Sequence, residues 1–162
     1  MPTDMFLKLE TVEGESPDSK HKGEIEVLSF SFGASQPSTM SFGGGGGAGK
    51  VSMQDLHISK RVDKASSNLF LRCATGQHIP KGTLVVRKAG KEQQEYLKVT
   101  MTDLLVSSIN FSGADHSGSA VVMEQVTLNF SKIEWEYKEQ KQDGTLGGSI
   151  KSGYDLKAMK EV

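Results

Sequence analysis

The segment Val121–Tyr137, VVMEQVTLNFSKIEWEY, is the longest alternating pattern of the chain and decides its fold class. Apolar and polar residues alternate through it, and this period of two is typical of a half-buried β-strand. The apolar positions form two sets, Val126, Leu128 and Phe130, then Ile133, Trp135 and Tyr137. The second set is one residue out of phase with the first. We therefore predict a β-bulge near Ser131–Lys132 that returns all six side chains to the core.

Shorter stretches of strand character lie on both sides of this segment. They are Met5–Leu9, Ile25–Phe32, Val51–Val62, Thr83–Lys88, Tyr96–Leu105, Val106–Phe111 and Tyr154–Met159. Turn-forming residues separate most of them, as in Glu13–Gly23 and Asp143–Gly148. The pattern predicts a mainly β protein with an antiparallel two-sheet β-barrel or sandwich, and not a parallel sheet with crossover helices.

One segment, Asp63–Thr75, has helical periodicity instead. Asp63 is a residue type that caps helix starts, and Gly76 stands where a left-handed cap ends a helix. The apolar residues at helical spacing are Ala65, Leu69, Phe70, Cys73 and Ala74. We therefore predict one α-helix that packs this face against the sheets.

Glycine is concentrated between residues 33 and 50, which we interpret as one long extended loop within a single domain spanning 1–162. Positions 44–50, GGGGAGK, match the start of a phosphate-binding P-loop. However, Val51 stands where that motif needs a Ser or Thr ligand for magnesium, and a strand follows in place of a helix N-terminus. Nucleotide binding is therefore not predicted.

Composition excludes several functional classes. Nineteen basic residues nearly balance twenty acidic ones, so the chain has no general attraction for nucleic acid or anionic membranes. No apolar stretch approaches the length of a membrane-spanning helix. The lone Cys73 excludes a disulfide within the chain and favours a reducing compartment. The N-terminus lacks the features of a secretory signal peptide, so export would use a route that reads no such signal.

The residues that could carry chemistry do not form a recognisable active site. The four histidines, His21, His57, His78 and His116, are scattered, and no metal-binding spacing occurs. Cys73 lies on the apolar helix face, where an inert buried thiol is the usual finding. No GxSxG nucleophile elbow is present. We therefore expect no enzyme, no cofactor and no metal.

The chain resembles the Hcp (hemolysin-coregulated protein) family of bacterial type VI secretion over nearly its whole length. The most specific segment is Gly43–Leu69, GGGGGAGKVSMQDLHISKRVDKASSNL, which joins the glycine loop, a strand and the helix start. Five further segments resemble the family in the expected order: Met5–Leu9, Arg87–Gly90, Glu95–Leu97, Val106–Ser108 and Val126–Phe130. The ending Gly153–Leu156 departs from the family pattern, because Tyr154 and Asp155 stand where Trp and Asn are usual.

The resemblance implies a structural function. Six copies would form a ring, and rings would stack into the inner tube that a contractile sheath expels from the cell. The implied partners are further copies of the chain, a spike-tip protein, the sheath and effector proteins in the lumen. The protein would reside in the bacterial cytoplasm before firing and outside the cell afterwards. A fused C-terminal toxin domain is not expected from the length.

Two groups of residues are candidate sites for these functions. Ser29 and Ser31 face away from the phenylalanines of their strand, so they are candidates for the lumen and effector contact, and an ordinary exposed sheet face is the alternative. The glycine loop is the candidate for ring stacking, through Gly43, Gly44, Gly45, Gly46, Gly47 and Lys50. A monomeric β-sandwich binding module of lectin or adhesin type is the alternative function.

Overall fold

The computed structural model describes residues 3–37, 50–88, 94–113 and 122–162. In these ranges the chain forms eleven strands and one helix, α1 (Ser66–Thr75). The strands are β1 (Thr3–Leu9), β2 (Ile25–Val27), β3 (Ser29–Ser31), β4 (Ala34–Ser35), β5 (Ser52–Met53), β6 (Leu56–Arg61), β7 (Ile79–Lys88), β8 (Gln94–Gly113), β9 (Val122–Gln140), β10 (Leu146–Asp155) and β11 (Lys160–Glu161). The prediction of a mainly β, antiparallel protein with one helix is confirmed.

The long strands β8 and β9 form the centre of the main sheet. Its order is β11-β10-β9-β8-β7-β1-β2, and all of these neighbours are antiparallel. On the side of β9 opposite β8, two strands follow one another: β6 pairs with its first half and β10 with its second half. β3 then pairs with the other side of β6. The two predicted strands Tyr96–Leu105 and Val106–Phe111 are parts of the single strand β8.

The change of phase within β9 does not arise from a bulge, so the predicted bulge at Ser131–Lys132 is wrong. The register between β8 and β9 is the same on both sides of this point. β8 changes its buried face at the same rung, because Asp103 adopts a left-handed conformation with φ of 54°. As a result Met101 and Leu104 are both fully buried. Tyr137, at the end of the second apolar set, is exposed.

Helix α1 begins later than predicted, at Ser66, and Ala65 precedes it without a side-chain cap. The Asp63 carboxylate instead accepts hydrogen bonds from the Ala65 N–H at 2.9 Å and from Lys60 Nζ at 2.8 Å, because the buried ammonium needs an acid close by. The end of the helix is as predicted, with Gly76 at φ 71°. Phe70 was expected in the core and is 56% exposed.

A buried ion pair lies beneath the start of α1. Lys60 of β6 and Glu124 of β9 are adjacent in register, both side chains are fully buried, and they hydrogen-bond to each other. Lys60 Nζ also lies 3.4 Å from Ser66 Oγ in the first turn of α1. The second Glu124 oxygen has no hydrogen-bond partner among the described residues. Charge therefore adds to the apolar packing of Ala65 and Leu69 in holding the helix start against the sheet.

The polar segment between β1 and β2 is held to the sheet by Arg87. This buried guanidinium donates to both oxygens of Asp18 and stacks on Phe6, at 4.7 Å from the ring centroid. The His21 ring also stacks on Phe6, at a centroid distance of 4.4 Å. The hydrogen bonds from Arg87 hold the pKa of Asp18 at about 2, below its ordinary value of 3.8. The turn is thus fixed by one cation and one aromatic ring.

Two further segments differ from the sequence expectation. Ala34 and Ser35 lie in the range predicted as loop, and they pair with β5 as strand β4. The predicted strand Tyr154–Met159 is mostly a turn between β10 and β11. The glycine run Gly43–Gly47 lies outside the described residues. No described helical segment has the length and apolar character needed to cross a membrane.

Candidate functional site

Ser29 and Ser31 belong to a polar surface that crosses four strands. In register across β3, β6, β9 and β8, one row runs through Ser29, Ser59, Gln125 and Asn110, and the next through Ser31, His57, Thr127 and Ser108. None of these eight residues is a Lys, Arg, Asp or Glu. We call these eight residues the uncharged face. The structure thus places both predicted serines on one coherent surface and adds six residues from three other strands.

The row between these two shows which way the face points. It contains Phe30, Ile58, Val126 and Ile109, which are buried or pack against the core. Side chains alternate across a strand, so the serine rows must point away from the core. Ser29, Ser31, His57, Asn110 and Gln125 are accordingly exposed. Ser29 and Ser31 thus face away from the phenylalanines of their strand, as predicted, and their contact with the lumen stays a prediction.

Hydroxyl groups at one end of the face bond to each other. Thr127 Oγ1 lies 2.6 Å from Ser108 Oγ and 2.7 Å from Ser107 Oγ. Both serines reach the same threonine because the register between β8 and β9 shifts at Ser107. Ser107 also donates to Asp55, whose other oxygen accepts from Asn129 Nδ2 at 2.9 Å. The one carboxylate at this border is thus already hydrogen-bonded.

The absence of charge distinguishes this face from the outer surface of β8, β9 and β10. There the facing residues include a row of Lys98, Glu136 and Lys151, and the neighbouring rows carry Glu134 and Lys132. Lys151 Nζ lies 3.8 Å from Glu136 Oε2, a typical solvent-exposed ion pair worth about 0–1 kcal/mol. Two halves of the same strands therefore present chemically different surfaces.

The uncharged face lies between two open strand edges. Among the described residues, β3 pairs with β6 on one side and with no strand on the other. At the opposite border, β7 pairs with β8 only as far as Leu104, so residues 105–113 of β8 pair with β9 alone. An open edge presents unpaired N–H and C=O groups, which makes it a template for another strand. The face therefore ends on both sides in groups that can bind backbone.

Of the predicted stacking residues, only Lys50 lies in the described ranges. It is exposed and stands two residues before β5. The glycines at 43–47 are outside the described residues, so the grouping of Lys50 with them stays a prediction.

Two of the histidines, His21 and His78, and the cysteine are engaged in structural contacts. His78 Nδ1 bonds to Asp103 Oδ1 at 2.7 Å, and His21 bonds to two carboxylates at 2.7 Å each. Cys73 is half-buried against the core. In residues 3–37, 50–88, 94–113 and 122–162, no group of three His, Cys, Asp or Glu side chains could hold a metal ion. The uncharged face is therefore the candidate site of the described part of the chain.

The chain is similar to known proteins in both sequence and structure. Residues 6–137 match the family described as type VI secretion system effector, Hcp. The chain is 46% identical over 159 residues to protein hcp1 of Pseudomonas aeruginosa, covering 97% of each protein. It is similar in structure to Hcp1 of Salmonella typhimurium, with 46% identity, a TM-score of 0.84 and full coverage of both chains. A type VI secretion system effector from Yersinia pestis matches with 32% identity and a TM-score of 0.75, over 94% of this chain and 99% of that one.

These matches cover nearly all of the chain, and they agree with the segment order from which the resemblance was inferred. The prediction of the family is confirmed. The chain belongs to the Hcp family of type VI secretion proteins.

Proposed function

We propose that this protein builds the inner tube of a type VI secretion system, with six copies in each ring, rings stacked end to end, and the uncharged face lining the lumen. The observation that carries the proposal is the uncharged face between two open strand edges. This arrangement supports a tube wall in which the uncharged face of one copy continues into that of the next. The protein acts as a structural component and not as an enzyme.

The placement of the two edges supports a closed ring. β3 and residues 105–113 of β8 are different strands at opposite borders of the same four-stranded surface. A contact between the β3 edge of one copy and the β8 edge of the next is heterologous, because two different surfaces meet. A heterologous contact generates a closed ring when its rotation closes. Pairing also removes the aggregation hazard that two open edges create.

A lumen lined by Ser, Thr, Asn and Gln suits transport. Neutral hydroxyl and amide groups can hydrogen-bond to many cargo surfaces directly or through water, and each such bond contributes only about 0.5–1.5 kcal/mol. These neutral groups also impose no strong electrostatic field on charged side chains of a passing effector protein. Ser29 and Ser31 contact effector proteins in this arrangement, weakly enough for release.

Stacking of rings is assigned to the glycine loop, with Gly43–Gly47 and Lys50 at its centre. Ordering a glycine-rich segment has a large entropic cost, so stacking is weaker than ring formation and depends on other components. The remaining partners are the spike-tip protein, the contractile sheath and the effectors. The protein is present in the bacterial cytoplasm before firing and is then secreted through the type VI system.

Ring formation is tested by native mass spectrometry of the purified protein, with negative-stain images of the same sample. A dominant hexamer seen as open rings is expected. A monomer that persists at high concentration would overturn the ring and favour a monomeric binding module.

The orientation of the uncharged face is tested by gold labelling. In a Cys73→Ser background, Ser31→Cys is labelled with maleimide-linked gold and imaged in rings. Thr100→Cys, on the charged surface, is the matched control. We expect gold at the ring centre for position 31 and at the periphery for position 100. Peripheral gold at position 31 would refute a lumen lined by this face.

The stacking role is tested by deleting Gly43–Gly47. The deletion is expected to leave hexameric rings intact and to reduce tube formation at equal protein concentration. Tubes of normal length and yield from the deleted protein would remove the loop from the stacking contact.

A further inference from the structure

An open apolar groove lies beside β3. It has a volume of about 750 Å³, and its lining includes Phe30 and Phe32, Met53 of β5, Trp135 of β9 and Tyr154 of β10. The Phe32 and Trp135 rings are 5.3 Å apart between centroids. No charged residue is among the described residues that line it. We call this the apolar groove.

A second exposed apolar surface lies near α1. It consists of Val62 after β6, Phe70 of α1, Phe111 of β8 and Val122 of β9, with exposures of 44%, 56%, 47% and 48%. The two phenylalanine rings contact each other at a centroid distance of 6.4 Å, and the Val62 N–H donates to the Val122 carbonyl at 3.0 Å. Large side chains exposed in a contiguous group mark an interaction surface. We call this the aromatic patch.

The groove and the patch lie on the same side of the four-stranded surface. Phe30 and Phe111 both project opposite to the uncharged face, because Phe30 alternates with Ser29 and Ser31, and Phe111 follows Asn110 in register. The groove borders the open edge of β3, whereas Phe111 lies on the open edge of β8. Phe111 lies level with Lys60 through Glu124, whereas Phe32 follows Ser31 at the level of His57. The groove of one copy and the patch of the next therefore come together behind the joined strands when the two edges pair with a stagger of about four residues.

We propose that the apolar groove receives the aromatic patch of the adjacent copy, with Phe111 and Phe70 as the inserted side chains. This contact rests on the proposed ring and specifies what holds it together on the side away from the lumen. The backbone pairing of β3 with β8 sets the register between copies, and the aromatic contact supplies buried apolar area. Interfaces commonly concentrate their binding energy in such central aromatic clusters.

The chemistry of the groove favours this occupant. A charged peptide segment would lose its hydration in a groove that offers no opposite charge among its described lining residues, and that desolvation is unfavourable. An aromatic side chain has no comparable hydration to lose, and it gains contact with Phe32 and Trp135 in offset or edge-to-face geometry. A second copy also supplies the patch at the correct edge, whereas an unrelated partner would leave the patch of each copy exposed in the ring.

Substitution of the patch tests the contact. Phe111→Asp and Phe70→Asp place charge in the groove, so each is expected to shift the ring-to-monomer equilibrium at least tenfold toward monomer in native mass spectrometry. Ile150→Asp is the matched control, because Ile150 is 66% exposed on β10 and belongs to neither surface. Circular dichroism of each monomer checks that the fold is retained. Rings that persist undiminished in both patch variants would overturn the proposal.

Crosslinking provides a readout that does not depend on destabilisation. In the Cys73→Ser background, Phe32→Cys combined with Phe111→Cys is oxidised with diamide and run on a non-reducing gel. A ladder of covalent multimers up to the hexamer is expected. Phe111→Cys combined with Ile150→Cys is the control and should remain monomeric on the gel. Wild-type protein that forms no ring would overturn the proposed function itself, whereas wild-type rings without the ladder would overturn only this contact.

Discussion

The buried Lys60–Glu124 pair under α1 makes an asymmetric prediction for single and double substitutions. Lys60 contacts both Glu124 and Asp63, so its charge has two compensating acids, whereas Glu124 has Lys60 as its single cation within the described residues. Lys60→Met therefore leaves an uncompensated buried carboxylate, which costs about 3–5 kcal/mol. Glu124→Leu leaves Lys60 bonded to Asp63. Its cost in unfolding free energy should therefore be only that of one unsatisfied buried group, about 1–3 kcal/mol.

The double variant removes both buried charges. It should be less destabilised than the sum of the single variants, with a coupling energy of about 0.5–3 kcal/mol. Urea unfolding followed by far-ultraviolet circular dichroism gives the free energy of unfolding of each variant. Runs at several protein concentrations separate any contribution from ring dissociation, because that contribution depends on concentration.

Three outcomes would refute this reasoning. A cost below about 1 kcal/mol for Lys60→Met would mean that water or another cation reaches Glu124, contrary to its full burial. Additive single effects would mean that the two charges do not interact. A larger loss of unfolding free energy for Glu124→Leu than for Lys60→Met would contradict the predicted asymmetry between the two charges.

Three further predictions concern single positions. Gly14→Ala should strongly destabilise the fold, because its added Cβ would lie 2.5 Å from the Glu24 carbonyl oxygen, and backbone cannot move aside as a side chain can. Gly76→Ala should cost about 1–2 kcal/mol of unfolding free energy, because φ at this helix end is 71°. Asp18→Asn should lower the free energy of unfolding by a constant amount well above pH 3.8. The loss should diminish as pH falls through about 2, because Arg87 lowers the pKa of Asp18 in the folded state.

Each of these has a control and a contradicting result. Gly148→Ala is the control for both glycine variants, since nothing lies within 4 Å of its added Cβ, and chemical unfolding should show it near neutral. Equal stabilities for Gly14→Ala and Gly148→Ala would show that the backbone at Gly14 relaxes freely. For Asp18→Asn, urea unfolding across a pH series gives the difference from the parent. A difference that does not change with pH would show that the carboxylate and Arg87 are not coupled in solution.

The elements that sequence reasoning placed correctly are those that local chemistry determines. The alternation in Val121–Tyr137 produced a long strand, and Gly76 ended the helix, because both features depend on neighbouring residues alone. The orientation of Ser29 and Ser31 also followed from the alternation with Phe30. The family could be identified for the same reason, since its motifs are contiguous segments such as Gly43–Leu69.

The errors occurred where a distant partner decides the outcome. The change of face in β9 was attributed to a bulge in β9, but it is matched by the left-handed Asp103 in β8, which no pattern within β9 reveals. The helix was predicted to start at Asp63, but it starts at Ser66, and the Asp63 carboxylate accepts from the Ala65 N–H ahead of the helix and also from the buried Lys60. Phe70 has helical spacing with the core residues, yet it is exposed because α1 meets the sheet through Leu69 and Arg72.

The sequence by itself therefore determined the fold class, the helix and its C-terminal end, the family, and the outward direction of two serines. Each depends on contacts within a few residues or on contiguous motifs. The uncharged face, its two open edges, the apolar groove and the aromatic patch were decided only by the tertiary structure. The reason is that each combines residues from strands far apart in the chain, and the register that brings Ser31, His57, Thr127 and Ser108 into one row is set by pairing across the whole sheet.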